Sequence, residues 1–268
     1  MDFALILVVA TAITGLIWLA DALFFARARS LRAVRGVSVA EPVVVEYAKS
    51  FFPVLLIVLL LRSFLFEPFR IPSGSMMPTL LRGDFIFVNK FSYGLRLPVL
   101  NTKILEVGEA RRGEVVVFRY PSDTSVNYIK RVVGLPGDLV SYSQATKQLT
   151  INGEPVPTEV VGDYPAQPET DLAREVLGAV EHDILLERLR HSRGGDYRVP
   201  EGHYFMMGDN RDRSLDSRVL NAVGFVPAVN LIGKAEVRFF SINDNIPPWQ
   251  IWRWPGNVRL DRMFQSVY

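Results

Sequence analysis

Ile71-Pro-Ser-Gly-Ser-Met-Met-Pro-Thr-Leu80 divides this sequence: uncharged apolar runs dominate the residues before it, and the residues after it read as a folded β domain that must face it. Gly74 frees the backbone just before Ser75, while prolines at 72 and 78 stiffen the segment without helix or ladder hydrogen bonds. An exposed serine on a stiff loop suits attack on a carbonyl, so Ser75 is the candidate nucleophile. Turn chemistry also accounts for Pro-Ser-Gly-Ser, and the decision rests on the rest of the chain.

Upstream, no charged residue occurs from Phe3 to Ala20, and apolar character resumes after Asp21 through Ala22-Leu-Phe-Phe25. That run reaches the roughly 20 residues needed to cross a bilayer, so a first transmembrane helix is expected over residues 1–25. A cleaved leader would show basic residues ahead of a shorter run, whereas here only Asp2 precedes it. Arg27, Arg29, Arg32 and Arg35 mark residues 26–49 as a cytoplasmic loop and place the amino terminus outside. A second run, Ser50 to Leu61, is short for a span; Arg62 can snorkel and let Ser63 to Phe66 complete the crossing, giving a second transmembrane helix over 50–68. Residues 69–268 then form an exported domain, with Ser75 a few residues from the lipid surface.

Within that domain, Asp84 to Lys90, Glu114 to Tyr120 and Asn127 to Val133 are dense in β-branched and aromatic residues and read as strands. A loop with Pro98 and Gly108 joins the first two, and Gly134-Leu-Pro-Gly-Asp138 closes the third. Alternation puts Tyr128, Lys130 and Val132 on one face and Ile129, Arg131 and Val133 on the other, so a cation shares each face with apolar neighbours. Asp138 to Val156 reads as short strands around Asn152-Gly153. Gly178 and the alternation of Val180, His182 and Ile184 favour a hairpin within a small inserted subdomain at about 145–200, followed by a solvated connection over Glu187 to Arg193. Tyr204 to Met207 starts as a strand and passes into Gly-Asp-Asn-Arg-Asp-Arg-Ser-Leu-Asp-Ser-Arg218, a run suited to loop-fixing ion pairs. Gly224 to Pro227 and Leu231 to Ile242 return to β pattern. Trp249, Trp252 and Trp254 beside Arg253 and Arg259 fit either a membrane interface or a packed aromatic cluster. The expected fold class is N-terminal transmembrane α-helices followed by a mainly β exported catalytic domain with a small inserted β subdomain.

Composition narrows the chemistry. A formal net charge of +2 over 268 residues gives no sign of a nucleic-acid partner, and the absence of cysteine removes disulfides, thiol nucleophiles and thiolate metal sites together. His182, His191 and His203 lack zinc-motif spacing and read as ordinary polar surface, so no metal or cofactor is expected. A Ser-His-Asp triad using His182 or His203 stays open on this reading alone.

Three separated stretches converge: Ile71 to Leu80 after a membrane span, Tyr128-Ile-Lys-Arg-Val-Val-Gly-Leu-Pro-Gly-Asp138, and Met207-Gly-Asp-Asn-Arg-Asp-Arg-Ser-Leu-Asp-Ser-Arg218. Together they closely resemble the bacterial type I signal peptidases. The likeness runs from Phe51 to about Ala235 and weakens over Gly162 to Pro200. The resemblance implies a Ser-Lys dyad, with Ser75 as nucleophile and Lys130 as general base, Ser73 joining the Ser75 N–H in an oxyanion hole, and Ser214 orienting the base. Asp209, Arg211, Asp216 and Arg218, with Arg131, are implied as structural support. Phe69, Ile71, Met76, Leu80, Ile86, Tyr128 and Ile129 are implied to line shallow pockets for small residues at −1 and −3 of a preprotein signal peptide. Tyr128, Ile129 and Met76 are expected to shield the amine. Free lysine titrates near 10.4, so a mostly neutral amine at pH about 8 needs its cation destabilised by roughly 3 kcal/mol, which desolvation supplies. The expected setting is the bacterial inner membrane, with the lipid bilayer and the secretion translocon as neighbours. The alternatives are a more specialised membrane-tethered Ser-Lys peptidase of a secretion or conjugation system and a non-catalytic anchored β domain that binds exported chains.

Overall fold

The computed structural model describes residues 3–34, 40–96, 103–105, 107–243, 246 and 250–268. Arg35, Pro98 and Trp249, each used in the sequence reading, lie outside these. The chain divides into two units, residues 1–66 with 94–106 and residues 67–93 with 107–268.

The first unit is helical. α1 (Phe3–Ala20) passes through a π-helical turn, Asp21–Phe25, into α2 (Ala26–Val34), and α3 covers Val43–Phe64. Two stretches, Leu5–Leu31 and Val43–Ser63, are long and apolar enough to cross a membrane. Asp21 does not interrupt the first helix because its carboxylate is buried against Arg29, with two bonds of 2.5 and 2.6 Å. Residues 26–34 are helical: alanine and arginine are strong helix formers, so the hydrogen-bond ladder continues past the apolar run. α3 likewise starts at Val43 rather than residue 50, with Pro42 before it, and it ends at Phe64. Helices α1 and α3 meet where Phe52 lies against Trp18 and Gly15; a Cβ on Gly15 would stand 2.7 Å from the Phe52 ring.

The strands are β1 (Phe66–Arg70), β2 (Asp84–Asn89), β3 (Leu95–Arg96), β4 (Lys103–Leu105), β5 (Val115–Tyr120), β6 (Asp123–Gly134), β7 (Leu139–Tyr142), β8 (Leu149–Ile151) and β9 (Glu154–Pro155). They continue with β10 (Thr158–Asp163), β11 (Thr170–Leu177), β12 (Val180–Glu187), β13 (Gly195–Arg198), β14 (His203–Met207), β15 (Val226–Pro227), β16 (Leu231–Ser241) and β17 (Gln265–Ser266). In the second unit the main sheet runs β1-β2-β16-β5-β6-β14-β15, with β17 also on β16. The period-two pattern sorts its residues: Val115, Val117 and Ile129 enter one core cluster with Ile86 and Val88, whereas Val116, Phe118 and Val132 enter another with Met206.

Residues 162–200 hold more than the expected hairpin. β10, β11 and β12 make a three-stranded antiparallel sheet, turning at Gly178 with φ +67°, while β13 pairs back onto β7 in a second small sheet with β8 and β9. The β8–β9 turn agrees with the sequence: Asn152 and Gly153 both have positive φ, 55° and 89°, as a two-residue hairpin requires. The connection over 187–193 is exposed in part only, because Glu187 and Ser192 are buried. His182 is not surface either; it points inward from β12 and is buried between Glu175 and Asp209.

Candidate active site

Between β1 and β2 the chain makes a compact loop whose ends are tied together: Ile71 N–H donates to Asp84 O, and Gly83 N–H to Ile71 O. Within it Leu80 N–H bonds Met76 O, and Ile71, Met76 and Leu80 drop their side chains into the core below. The loop is held by the burial of its apolar residues and by the bonds that tie its ends. Ser75 is carried at its top, at the floor of a cleft of about 710 Å³, and is only 8% exposed. An exposed serine was expected; the neighbouring residues 208–210 close over it instead. Asn210 N–H donates to Ser75 O at 3.0 Å and Asn210 Nδ2 to Gly74 O at 3.1 Å, and Gly208 packs so tightly that a Cβ there would collide with Ser75 O.

Lys130 comes from β6, separated from β2 in the sheet by β16 and β5. β6 is paired by β5 along its length and by β14 only from Arg131 to Gly134, so Lys130 sits where the second neighbour has just ended. Lys130 is 4% exposed, and its amine donates to Ser75 Oγ at 2.7 Å and to Ile129 O at 2.8 Å. The Tyr128 ring lies 5.5 Å from Nζ. Burial pushes the Lys130 amine down to about 8, and the nearby charges of Asp216 and Asp209 oppose this without cancelling it. An amine near neutrality in hydrogen-bond contact with a serine hydroxyl can take its proton. Ser73 Oγ lies 3.3 Å from Ser75 Oγ. Among the described residues, the Ser75 N–H makes no backbone hydrogen bond.

The charged run 209–218 is buried by pairing. Arg131 grips both oxygens of Asp209 at 2.8 and 2.6 Å, and Thr79 Oγ1 donates to Asp209 at 2.5 Å. Burial acts to raise the Asp209 carboxyl, but the Arg131 guanidinium outweighs it and holds it below the ordinary carboxylate value. Arg218 binds Asp216 through Nε at 2.9 Å and Nη2 at 2.8 Å, and Asp216 also accepts the Gly208 N–H at 3.1 Å. Arg211 pairs with Glu175 of β11, whose carboxyl is held at about 2 against the upward push of burial, chiefly by the Arg211 charge.

The structure therefore brings Ser75, Lys130 and Ser73 together, with Asp209, Arg211, Asp216, Arg218 and Arg131 in the supporting network. Among the described residues it does not make the expected bond from Ser214 to the amine: the Ser214 Oγ is buried beside Gly208. Of the seven expected pocket residues, Tyr128 and Ile129 line the cleft. Ile71, Met76, Leu80 and Ile86 are wholly enclosed in the core, and Phe69 packs half-buried against them. Tyr128 covers the amine, because β alternation turns it to the Lys130 face. Neither histidine raised as a triad partner reaches the serine: His182 faces Glu175 and Asp209, and His203 Nδ1 lies by Glu201 O. Sequence reasoning missed Thr79, Glu175, His182 and Asn210 as parts of this assembly. Asn210 stood within the motif from Met207 to Arg218, whereas nothing local to Glu175 marks it as the mate of Arg211.

The model of the family described as signal peptidase, peptidase S26, matches residues 44–240. A protein named signal peptidase I from Pseudomonas fluorescens is 55% identical over 261 residues, covering 88% of this chain and 90% of that one. Its namesake from Pseudomonas aeruginosa is 50% identical over 258 residues with the same coverages. A solved signal peptidase I from Enterococcus faecalis is 29% identical and covers 48% of this chain and 98% of that one, at a TM-score of 0.32.

Proposed function

Since this chain belongs to the signal peptidase family, peptidase S26, and is a serine endopeptidase that removes signal peptides, we propose that Ser75 is its nucleophile and Lys130 its general base. The single observation that carries this is the 2.7 Å contact between Lys130 Nζ and Ser75 Oγ in a site that depresses the amine to about 8. The neutral amine takes the Ser75 proton as Oγ attacks the scissile carbonyl, and it returns that proton to the leaving amine. The acyl-enzyme is then hydrolysed by a water that the same amine deprotonates. The Ser75 N–H and the Ser73 hydroxyl are the oxyanion donors, and such donors contribute on the order of 3 to 4 kcal/mol each in serine enzymes.

The substrate enters as an extended strand. β6 has a free edge ahead of Arg131, facing the cleft, and an edge of this kind takes up a peptide through main-chain hydrogen bonds. Small residues at −1 and −3 suit a cleft whose floor is the Ser75 loop and whose wall is Tyr128 and Ile129.

Two apolar N-terminal helices anchor the protein in the inner membrane. The finer arrangement is part of the proposal: residues 26–49, with Arg27 and Arg29, on the cytoplasmic side, and residues 69–268 as the catalytic domain on the outer side beside the translocon. Eleven positions separate Phe64, the end of α3, from Ser75, and even a fully extended chain covers only about 3.5 Å per residue. A preprotein whose apolar segment is still in the bilayer presents its cut site at that height. The exposed Trp252 and Arg253 suit the lipid interface, whereas Trp254 packs on Phe240 at 5.5 Å.

The test is incubation of the detergent-solubilised protein with a preprotein and mass spectrometry of the products. Cleavage after a small residue is expected for the parent and none for Ser75→Ala. Equal cleavage by both would remove Ser75 from the mechanism.

A further inference from the structure

The charge of the cleft is one-sided. Besides Lys130, the described residues of its lining include two cations, Arg82 and Arg213, and no carboxylate. Arg82 is exposed, forms no ion pair among the described residues, and brings its Nε to 3.7 Å from where a Cβ on Gly74 would stand. Arg213 is bound through Nε to Glu187, which leaves both of its terminal NH2 groups outside that bond.

A second depression of about 490 Å³ adjoins the cleft, and the two share Arg213 and Leu215 as lining. Arg190 and Arg193 stand on its exposed rim. Its two carboxylates are already engaged: Asp212 takes Lys147 at 2.7 Å and the Ser192 hydroxyl, and Asp216 takes Arg218. Arg190 lies 3.7 Å from Glu187, so one carboxylate is shared by two guanidiniums while Arg193 has no ion pair among the described residues. A trough with excess positive charge therefore leads away from Ser75 across Leu215.

The two sides of the substrate differ in what such a trough can attract. A signal peptide has a basic start, an apolar middle and small neutral residues next to the cut. None of these is drawn to arginine. The polypeptide beyond the cut is the side on which carboxylates can stand. We propose that Arg82 and Arg213, extended by Arg190 and Arg193, select acidic side chains within the first several residues after the scissile bond. This rests on the peptidase reading and adds a specificity that the Ser-Lys pair does not supply.

The experiment uses full-length protein in neutral detergent and three quenched fluorescent peptides. They share one Ala-X-Ala signal side and carry Asp/Glu, Ser/Gln or Lys at positions +2 to +6. An exposed ion pair changes affinity by about 1.5- to 5-fold, so two or three together should separate the acidic and basic peptides by about tenfold in kcat/KM at 50 mM salt. The difference should lie mainly in KM and collapse at 0.5 M salt, where screening acts over a few ångströms. Arg82→Glu with Arg213→Glu should invert the order, and because each enzyme is compared across peptides, a loss of overall activity does not mimic this. Equal rates on all three peptides, or an order the double variant leaves unchanged, would overturn the proposal while leaving the peptidase reading intact. An order that emerges only when anionic lipid vesicles replace the detergent would assign the arginines to headgroups and overturn it as well. Failure of the parent to cut any peptide would remove the peptidase reading itself, and the proposal with it.

Discussion

Replacing Lys130 by methionine should stabilise the folded protein at neutral pH, although it destroys the proposed base. The amine titrates near 8 when folded and near 10.5 when unfolded, with burial as the main cause. Between those values the unfolded chain holds a proton that the folded chain has released, so the parent gains stability as pH rises through this window. Below pH 8 both states are protonated and the folded state carries the full cost of a charge out of water. At about 1.4 kcal/mol per pKa unit, that cost is about 3 kcal/mol. Methionine has similar volume and no charge. It gives up the amine's bonds to Ser75 Oγ and Ile129 O, about 1 kcal/mol each and independent of pH. The expected balance at pH 7 is a variant about 1 to 2 kcal/mol more stable than the parent. From the same titration values the gap should shrink by about 1.4 kcal/mol between pH 7 and pH 9, and near pH 10.5 the parent should be the more stable. Denaturant unfolding of both full-length proteins in one detergent, at pH 7, 8, 9 and 10, measures it. A difference that stays constant with pH would refute the depressed amine and with it the argument for a neutral base.

Two other expectations come from the same geometry. Because the competent amine is the deprotonated one, kcat/KM on a peptide substrate should rise about tenfold per pH unit below pH 8 and level off above it; a flat profile from pH 6 to 9 excludes Lys130 as base. Gly208→Ala should cost about 1 to 3 kcal/mol of stability and most of the activity, since the new Cβ would fall under 3.0 Å from both Ser75 O and Ser214 Oγ; a variant with parental melting and turnover would show that the clamp on the serine loop is loose.

Much of this molecule is written locally. One long uncharged apolar run and a shorter one completed past Arg62 marked the membrane segments, period-two patterns located β2, β5, β6, β14 and β16, and Asn152-Gly153 announced its hairpin. Where a segment ends was less legible, as α2 and α3 show: charged residues that favour a helix continue one as readily as apolar residues do. Residues 162–200 were legible only in part: the hairpin at Gly178 forms as expected, but the strands added to it did not show in the sequence. Their strands are held by partners distant in sequence, such as Glu175 with Arg211 and Leu185 N–H with Asp209 O, and no local pattern encodes those pairings.

From the sequence alone came the identities of the reacting groups, a serine after glycine between prolines and a lysine in an apolar strand, because residue type and order are all that a motif needs. Only the tertiary structure decided that the two meet at 2.7 Å, that the Tyr128 ring lies over the amine, and that four of the expected pocket residues are core. The physical reason is that desolvation and contact belong to space. A lysine loses its charge through what is packed around it, and its neighbours in the chain supply only a part of that packing.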